Sequence, residues 1–210
     1  HIFEDEWVNN KKIIESMIRI KMGIVDRKIY ARKCKIKELD SKVAKVFLRK
    51  NHIQGECNSS VYIGLELDGE LVALTSFGKP RYSNRYKYEL HRMCYLLNTS
   101  VIGGFSKMLS YFITKYNPEN FITYSDLRYF VGEVYSKNGL TFLGRSKPSF
   151  FYVDKACNRY NRLKFQKHKL DKLLETFDPN LTAWQNMQLN GYDRIWDCGC
   201  NAYEYNKGVN

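Results

Sequence analysis

Residues 101–116, Val-Ile-Gly-Gly-Phe-Ser-Lys-Met-Leu-Ser-Tyr-Phe-Ile-Thr-Lys-Tyr, follow a strand-like run at Tyr88–Leu97. A strand that passes through paired glycines into a helix leaves backbone N–H groups where a phosphate or pyrophosphate can sit. Gly103 and Gly104 permit positive φ and close approach of a ligand to the main chain, and Val101, Ile102, Phe105 and Ser106 complete the candidate cradle. Proton-transfer groups stand nearby. Glu89 and His91 are two apart on the strand-like run, so alternation places both on one face beside the bend, each a candidate base. Asp126 follows the apolar run Phe121–Tyr124, where the carboxyl end of a parallel strand opens on a ligand crevice; it also suits a helix N-cap. His52 closes a helix, where the dipole favours an imidazolium.

No metal centre is expected. Glu4-Asp5-Glu6 lies at a helix start, where negative charge suits the dipole, and Cys198-Gly-Cys200 lacks the second close pair that a zinc site needs.

The elements that must position these groups read as mixed α/β. A strand stub at His1–Trp7 leads into a helix over Asn9–Met22, ended by Gly23. Ile29–Cys34 reads as a strand, Ser41–Asn51 as a helix with Val43, Val46 and Phe47 inward, and Val61–Leu67 with Glu70–Phe77 as a hairpin across Asp68-Gly69. Phe105, Met108, Leu109, Phe112 and Ile113 form one apolar helical stripe, and Phe121–Tyr124 is a buried strand. Phe130–Lys137 reads as a helix, with Leu140–Gly144 and Ser149–Val153 as closing strands. The crossover helix between Tyr88–Leu97 and Phe121–Tyr124 demands a parallel pair inside an otherwise antiparallel sheet.

A chain of 210 residues, 44% hydrophobic, supports one principal core with appendages. Its formal net charge of +12 points to a polyanionic partner. The cations gather in two places. Lys79, Arg81, Arg85 and Lys87 interleave with Tyr82 and Tyr86, and Arg159, Arg162, Lys164 and Lys167 open a predicted basic helix. Cations alternating with rings suit phosphates and unstacked bases, which makes DNA the expected partner. Six scattered cysteines without a signal peptide fit reduced thiols in a cytoplasmic setting, and no window is apolar enough for a membrane span. The chain opens without methionine, so it is expected to continue a longer polypeptide.

The order of elements over residues 28–153 resembles the GNAT acetyltransferase superfamily. There the fourth strand runs into a loop whose amides hold the pyrophosphate of acyl-coenzyme A, as Tyr88–Leu97, Asn98–Gly104 and Phe105–Tyr116 would here. Val134-Tyr135-Ser136-Lys137-Asn138-Gly139-Leu140 resembles the family's Y-x-x-x-G-F segment, which implies Tyr135 as the acid that protonates a departing thiolate. The stretches Gly78–Arg81, Tyr88–Arg92 and Asn98–Lys107 resemble the phage Mom-like branch, associated with DNA base modification. Ile2–Trp7 and the helix after it resemble the end of a Vsr-like (EDxHD) phage homing endonuclease domain.

The resemblance thus implies a mixed sheet with flanking helices in three parts: a nuclease-like remnant over 1–25, a GNAT-like domain over 28–155 and a basic helical extension over 156–210. It implies an acetyl-CoA or other acyl-CoA dependent acyltransferase acting on or at DNA, phage-encoded and without nuclease activity of its own. The alternative is a catalytically inactive DNA-binding module of the same fold. Val101 favours the alternative, because the family's loop usually carries Gln or Arg there.

Overall fold

The structure, a computed structural model, describes residues 1–208, and it opens as a helix rather than a strand. Helix α1 spans Glu4–Lys21, because the Glu6 carboxylate turns back to accept the Phe3 N–H while Glu4, Asp5 and Glu6 fill the first turn against the dipole. Strand β1 (Arg27–Tyr30) gives way to a 3-10 turn at Ala31–Lys33, so the strand expected over Ile29–Cys34 is interrupted. Strand β2 (Lys35–Glu38) and helix α2 (Ser41–Asn51) follow, the helix capped by the Asp40 carboxylate on the Lys42 N–H.

Strands β3 (Val61–Leu67) and β4 (Glu70–Gly78) form the expected hairpin, with Asp68 at φ 50° and Gly69 at φ 83° supplying the two left-handed residues of the turn. Strand β5 (Tyr88–Tyr95) stops short of Leu97, and Asn98 at φ 55° redirects the chain into β6 (Thr99–Ile102). Beyond it lie α3 (Gly104–Tyr116), β7 (Asn120–Asp126), α4 (Glu133–Ser136) and β8 (Thr141–Arg145). Helix α4 is shorter than the expected Phe130–Lys137 because Gly132, at φ 86°, starts it; a Cβ there would stand 2.5 Å from the Tyr203 ring.

Residues 146–199 are an insertion in the sheet order. Strands β9 (Phe150–Val153), β10 (Arg159–Asn161) and β11 (Asp193–Trp196), with helix α5 (Ala183–Leu189), enclose a small core of Tyr152, Phe165, Leu170 and Met187. The basic helix expected here does not form. Residues 162–172 are 3-10 turns, and of the leucines at helical spacing Leu170 is buried while Leu163 and Leu173 are exposed. Strand β12 (Cys200–Asn206) then returns to the main sheet between β7 and β8, so the expected extension over 156–210 is, in its described residues 156–208, partly a strand of that sheet.

The main sheet runs β2-β3-β4-β5-β7-β12-β8, antiparallel except for the parallel β5–β7 pair. One face packs on α3 through Phe77, Phe105, Met108, Phe112 and Phe121, with the Phe77 and Phe112 rings stacked at 3.6 Å. Each such fully buried side chain stabilises the fold by about 1.5–3 kcal/mol. The other face packs on α2 through Ala44, Leu48, Tyr62 and Leu74. Both α3 and the end of β7 are thereby fixed against the strand that carries Glu89 and His91.

Candidate functional site

The parallel pairing of β5 and β7 extends over Tyr88–Phe121, Glu89–Ile122 and Leu90–Thr123 and then stops, although both strands continue. The diverging halves enclose a cavity of about 540 Å³. Helix α1 bridges its far end: the Ser16 hydroxyl accepts the Asn98 N–H beyond β5, and the Lys21 ammonium donates to the Tyr129 carbonyl beyond β7. His91, Asp126 and Tyr135 all line this cavity, so the fold brings three of the four candidate catalytic residues together.

Tyr135 is half-buried in the cavity wall. Its hydroxyl faces the side chain of Thr123, the last residue of β7 still paired with β5, and its ring packs edge-on against Phe105 and tilted against Tyr203. Burial raises its pKa above the ordinary value of 10.0 and the Tyr203 charge adds to that, with Thr123 opposing. The phenol is therefore protonated at neutral pH.

The carboxylates are otherwise engaged. Glu89 is fully buried and accepts from the Arg81 N–H (2.8 Å) and the Arg81 guanidinium. Asp126 accepts from the Arg128 guanidinium at 2.9 Å and from the Arg128 N–H at 3.0 Å. Both candidate carboxylates are thus held in ion pairs, Glu89 with Arg81 and Asp126 with Arg128. His91 has two partners: Nε2 faces the Lys79 carbonyl at 3.1 Å, which requires a proton there, and leaves Nδ1 as acceptor for the Ser59 hydroxyl at 2.8 Å. His52 also faces the cavity, but burial and then the Arg92 charge lower its pKa to about 3, so the imidazole is neutral despite its place at a helix end.

Arg92 is a site residue that spacing alone does not reveal. Strict alternation puts it on the face opposite Glu89, but the register with β4 slips between Ser76 and Phe77, leaving His91 as a bulged residue. The bulge resets the parity, so Glu89, Arg92 and Cys94 share the α2 face while Met93 packs in the α3 core.

At the glycine bend the expected cradle is partly occupied. Val101 is buried in the core, and Val101 and Ile102 lie in β6, laddered in parallel with Ile29 and Tyr30 of β1. The Phe105 amide meets the Tyr95 phenol, and its ring points inward to Tyr135 rather than into the bend. Gly103, at φ 73°, faces a shallow recess whose rim includes Arg32, Ser106 and Lys107. The nearest atom to a Cβ placed on Gly103 is the Ala31 Cβ at 3.9 Å, so an anion can approach its main chain unobstructed. Gly104 is packed against Tyr95 and Val101, where a Cβ would stand at 3.0 Å from each.

The two basic clusters are part surface and part structure. Arg81 holds Glu89, and Arg159 holds Glu6 and Asp5, so neither guanidinium is available to a partner without breaking an internal pair. Tyr86 is buried and donates to Glu204, whereas Tyr82 is exposed beneath the Arg81 guanidinium. Lys79 and Lys87 are exposed, Arg85 reaches Glu204 only at 4.0 Å, and Arg162, Lys164 and Lys167 lie on the inserted unit. Among the described residues no group of three metal-ligating side chains converges, and no helix is long and apolar enough to cross a membrane.

The comparisons with known proteins concern this same chain path. No family model matches the chain, and no curated protein does. Among solved structures, a GNAT-family acetyltransferase of Bacillus cereus is similar at 10% identity and a TM-score of 0.44, over 83% of this chain and 97% of that one. An IAA acetyltransferase of Bacillus cereus is similar at 10% identity and TM-score 0.42, over 81% and 97%. A spermidine/spermine N-acetyltransferase of Vibrio cholerae is similar at 11% identity and TM-score 0.42, over 83% and 93%. At these values the names describe those proteins. What this chain has of its own is an α/β fold with a mixed central sheet and helices on both faces.

Proposed function

We propose that this chain transfers an acyl group from acyl-coenzyme A to an amine, and that its exposed cations bring it to DNA. One observation carries the reading: the Tyr135 hydroxyl stands beside Thr123 at the apex where β5 and β7 part. A thioester lying between the strands would find free main-chain edges on both sides and a neutral phenol at their meeting point. The coenzyme would supply the activated acyl group. The amides of Gly103, Gly104 and Ser106 would hold its diphosphate, with Arg32 at the rim. Tyr135 keeps a proton at its hydroxyl for a departing thiolate, and the cavity walls exclude water from the reacting carbon. With both carboxylates ion-paired, the cavity-wall groups with an accepting ring nitrogen are His91, joined to the Ser59 hydroxyl, and His52, which accepts the Gln54 N–H.

Thermal unfolding with acetyl-coenzyme A and with duplex DNA in turn tests the reading. A ligand at a hundredfold excess over its dissociation constant adds about 2.7 kcal/mol of stability, a readily measured shift. A rise with acetyl-coenzyme A supports transfer chemistry; a rise with DNA alone supports a binding module with a silent coenzyme site.

The DNA surface has its own test. Reversing charge at Arg85 and Lys87 is expected to reduce the salt dependence of DNA binding by about 0.9 in log–log slope for each phosphate that is no longer neutralised. An unchanged slope, read by fluorescence anisotropy across a salt series, removes that loop from the interface.

A further inference from the structure

Cys57 lies in the loop between α2 and β3, on the face that His91 and Arg92 reach because of the β5 bulge. The loop is clamped: the Tyr62 hydroxyl donates to the Cys57 carbonyl at 2.7 Å and accepts the Ser59 N–H at 2.9 Å. Around the half-buried sulfur stand the Ser59 hydroxyl at 3.4 Å and the Ser76 hydroxyl at 3.5 Å, and Ser59 links on to His91 Nδ1 at 2.8 Å. Arg92 is held over the same loop by the carbonyls of Gly55 and His91. The Lys79 carbonyl takes the His91 Nε2–H and leaves Nδ1 toward the Ser59 hydroxyl. Nucleophile, base and a third group orienting the base are the parts of an activated thiol.

We propose that Cys57 is a nucleophile that accepts an acyl group from a thioester at the edge of the cavity lined by His91 and Arg92. In this step the Cys57 S–H proton passes to the Ser59 hydroxyl, which hands its own proton to His91 Nδ1, and the sulfur electron pair forms a bond to the thioester carbonyl carbon. The donor's C–S bond breaks, its departing thiolate takes the proton back from His91, and the products are S-acyl Cys57 and a free thiol. The guanidinium of Arg92 faces the negative charge that develops. Burial pushes the thiol pKa up, but the hydrogen bonds from His91, Ser59 and Ser76 and the charge of Arg92 outweigh it and bring the value down to about 7. The exposed Cys157 makes an internal contrast, because the Glu4 carboxylate beside it raises its pKa above 9.0. The donor class rests on the function proposed above; the activation of the thiol does not.

Two probes separate the claims. Iodoacetamide at neutral pH is expected to alkylate Cys57 at least about fivefold faster than Cys157, the gain in thiolate fraction being partly offset by lower nucleophilicity. The rate for Cys57 should reach half its maximum near neutral pH and that for Cys157 at distinctly alkaline pH. S-acetyl-N-acetylcysteamine, a thioester without a nucleotide, is expected to add one acetyl-sized increment at Cys57, removable by neutral hydroxylamine. That increment is absent in Cys57→Ser and forms about tenfold more slowly in His91→Gln, which keeps a hydrogen-bonding side chain. Alkylation of Cys57 on the profile of Cys157, or acylation that falls on Cys157 or nowhere, overturns the proposal. Acylation of Cys57 without binding of acetyl-coenzyme A upholds Cys57 and removes the coenzyme reading; coenzyme binding without acylation of Cys57 does the reverse.

Discussion

Tyr135→Phe is expected to lower kcat for acyl transfer by about 100-fold while leaving KM for acetyl-coenzyme A near its wild-type value. The effect lies at the lower end for a general acid because a thiol of pKa about 8.5 is already a fair leaving group. The phenol proton matters only as the C–S bond breaks, so ground-state binding is spared. Phenylalanine keeps the ring packing with Phe105 and Tyr203 and loses only the hydroxyl facing Thr123. A change in stability of about 1 kcal/mol or less follows from losing that one hydroxyl contact. Because the folded-state pKa lies above 10.0, the acid stays protonated throughout the working range, and the alkaline limb of the wild-type profile that reports its ionisation falls above that pH. A variant with undiminished kcat, or one whose loss is confined to KM, takes the acid role away from Tyr135.

How much of this could be seen in the residues depends on the distance over which each feature is decided. The Asp68–Gly69 hairpin, the spans of helices α2 and α3 and the parallel β5–β7 pair are local matters of turn chemistry and period, and they stand as expected; the inward face of α2 does not, because Ala44, Phe47 and Leu48 are buried while Val43 and Val46 are exposed. The failures are non-local. Nothing in Cys200–Asn206 says that it slots between β7 and β8, because strand pairing is settled by partners 56 to 86 residues away. The leucines of residues 163–174 keep a helical spacing, yet the small core needs only Leu170 and partly Leu174, and the backbone settles into 3-10 turns. At the site, alternation put Glu89 and His91 beside the bend but could not anticipate the bulge that turns Arg92 to the same face. It also could not foresee that Glu89 and Asp126 would be held by Arg81 and Arg128. Charge on a sequence counts cations without saying which are already paired. Cys57 was one of six scattered thiols until the fold set His91 and Arg92 beside it.

The same pairing of charges fastens α1 across the cavity, and breaking it gives the largest expected change in stability. Phe3 is buried between two guanidinium groups, with Arg159 at 4.0 Å and Arg128 at 4.5 Å from its ring centroid. Both cations meet on Glu6, Arg128 at 2.9 Å and Arg159 at 2.9 Å, and Tyr129 donates its hydroxyl to the same carboxylate. Glu6→Ala leaves two largely buried arginines short of an anion, and removing one partner from a buried ion pair costs about 3–5 kcal/mol. For a chain of this size that corresponds to a fall in Tm of roughly 10 °C. The pH dependence fixes the sign. Burial by itself would raise the Glu6 pKa, but the hydrogen bonds from Tyr129 and Arg128 and the Arg128 charge prevail and hold it below the ordinary value of 4.5. A folded-state pKa below the unfolded one contributes stability that is complete above 4.5 and drains away as the pH falls through the folded value. Tm measured from neutral pH down into that range should therefore fall more steeply for the wild type than for Glu6→Gln, whose side chain cannot titrate. Parallel curves would mean that Glu6 is not what secures α1. Hydrogen exchange locates the effect: in Glu6→Gln the amides of α1 lose protection while those of α3, on the other side of the bend, keep theirs.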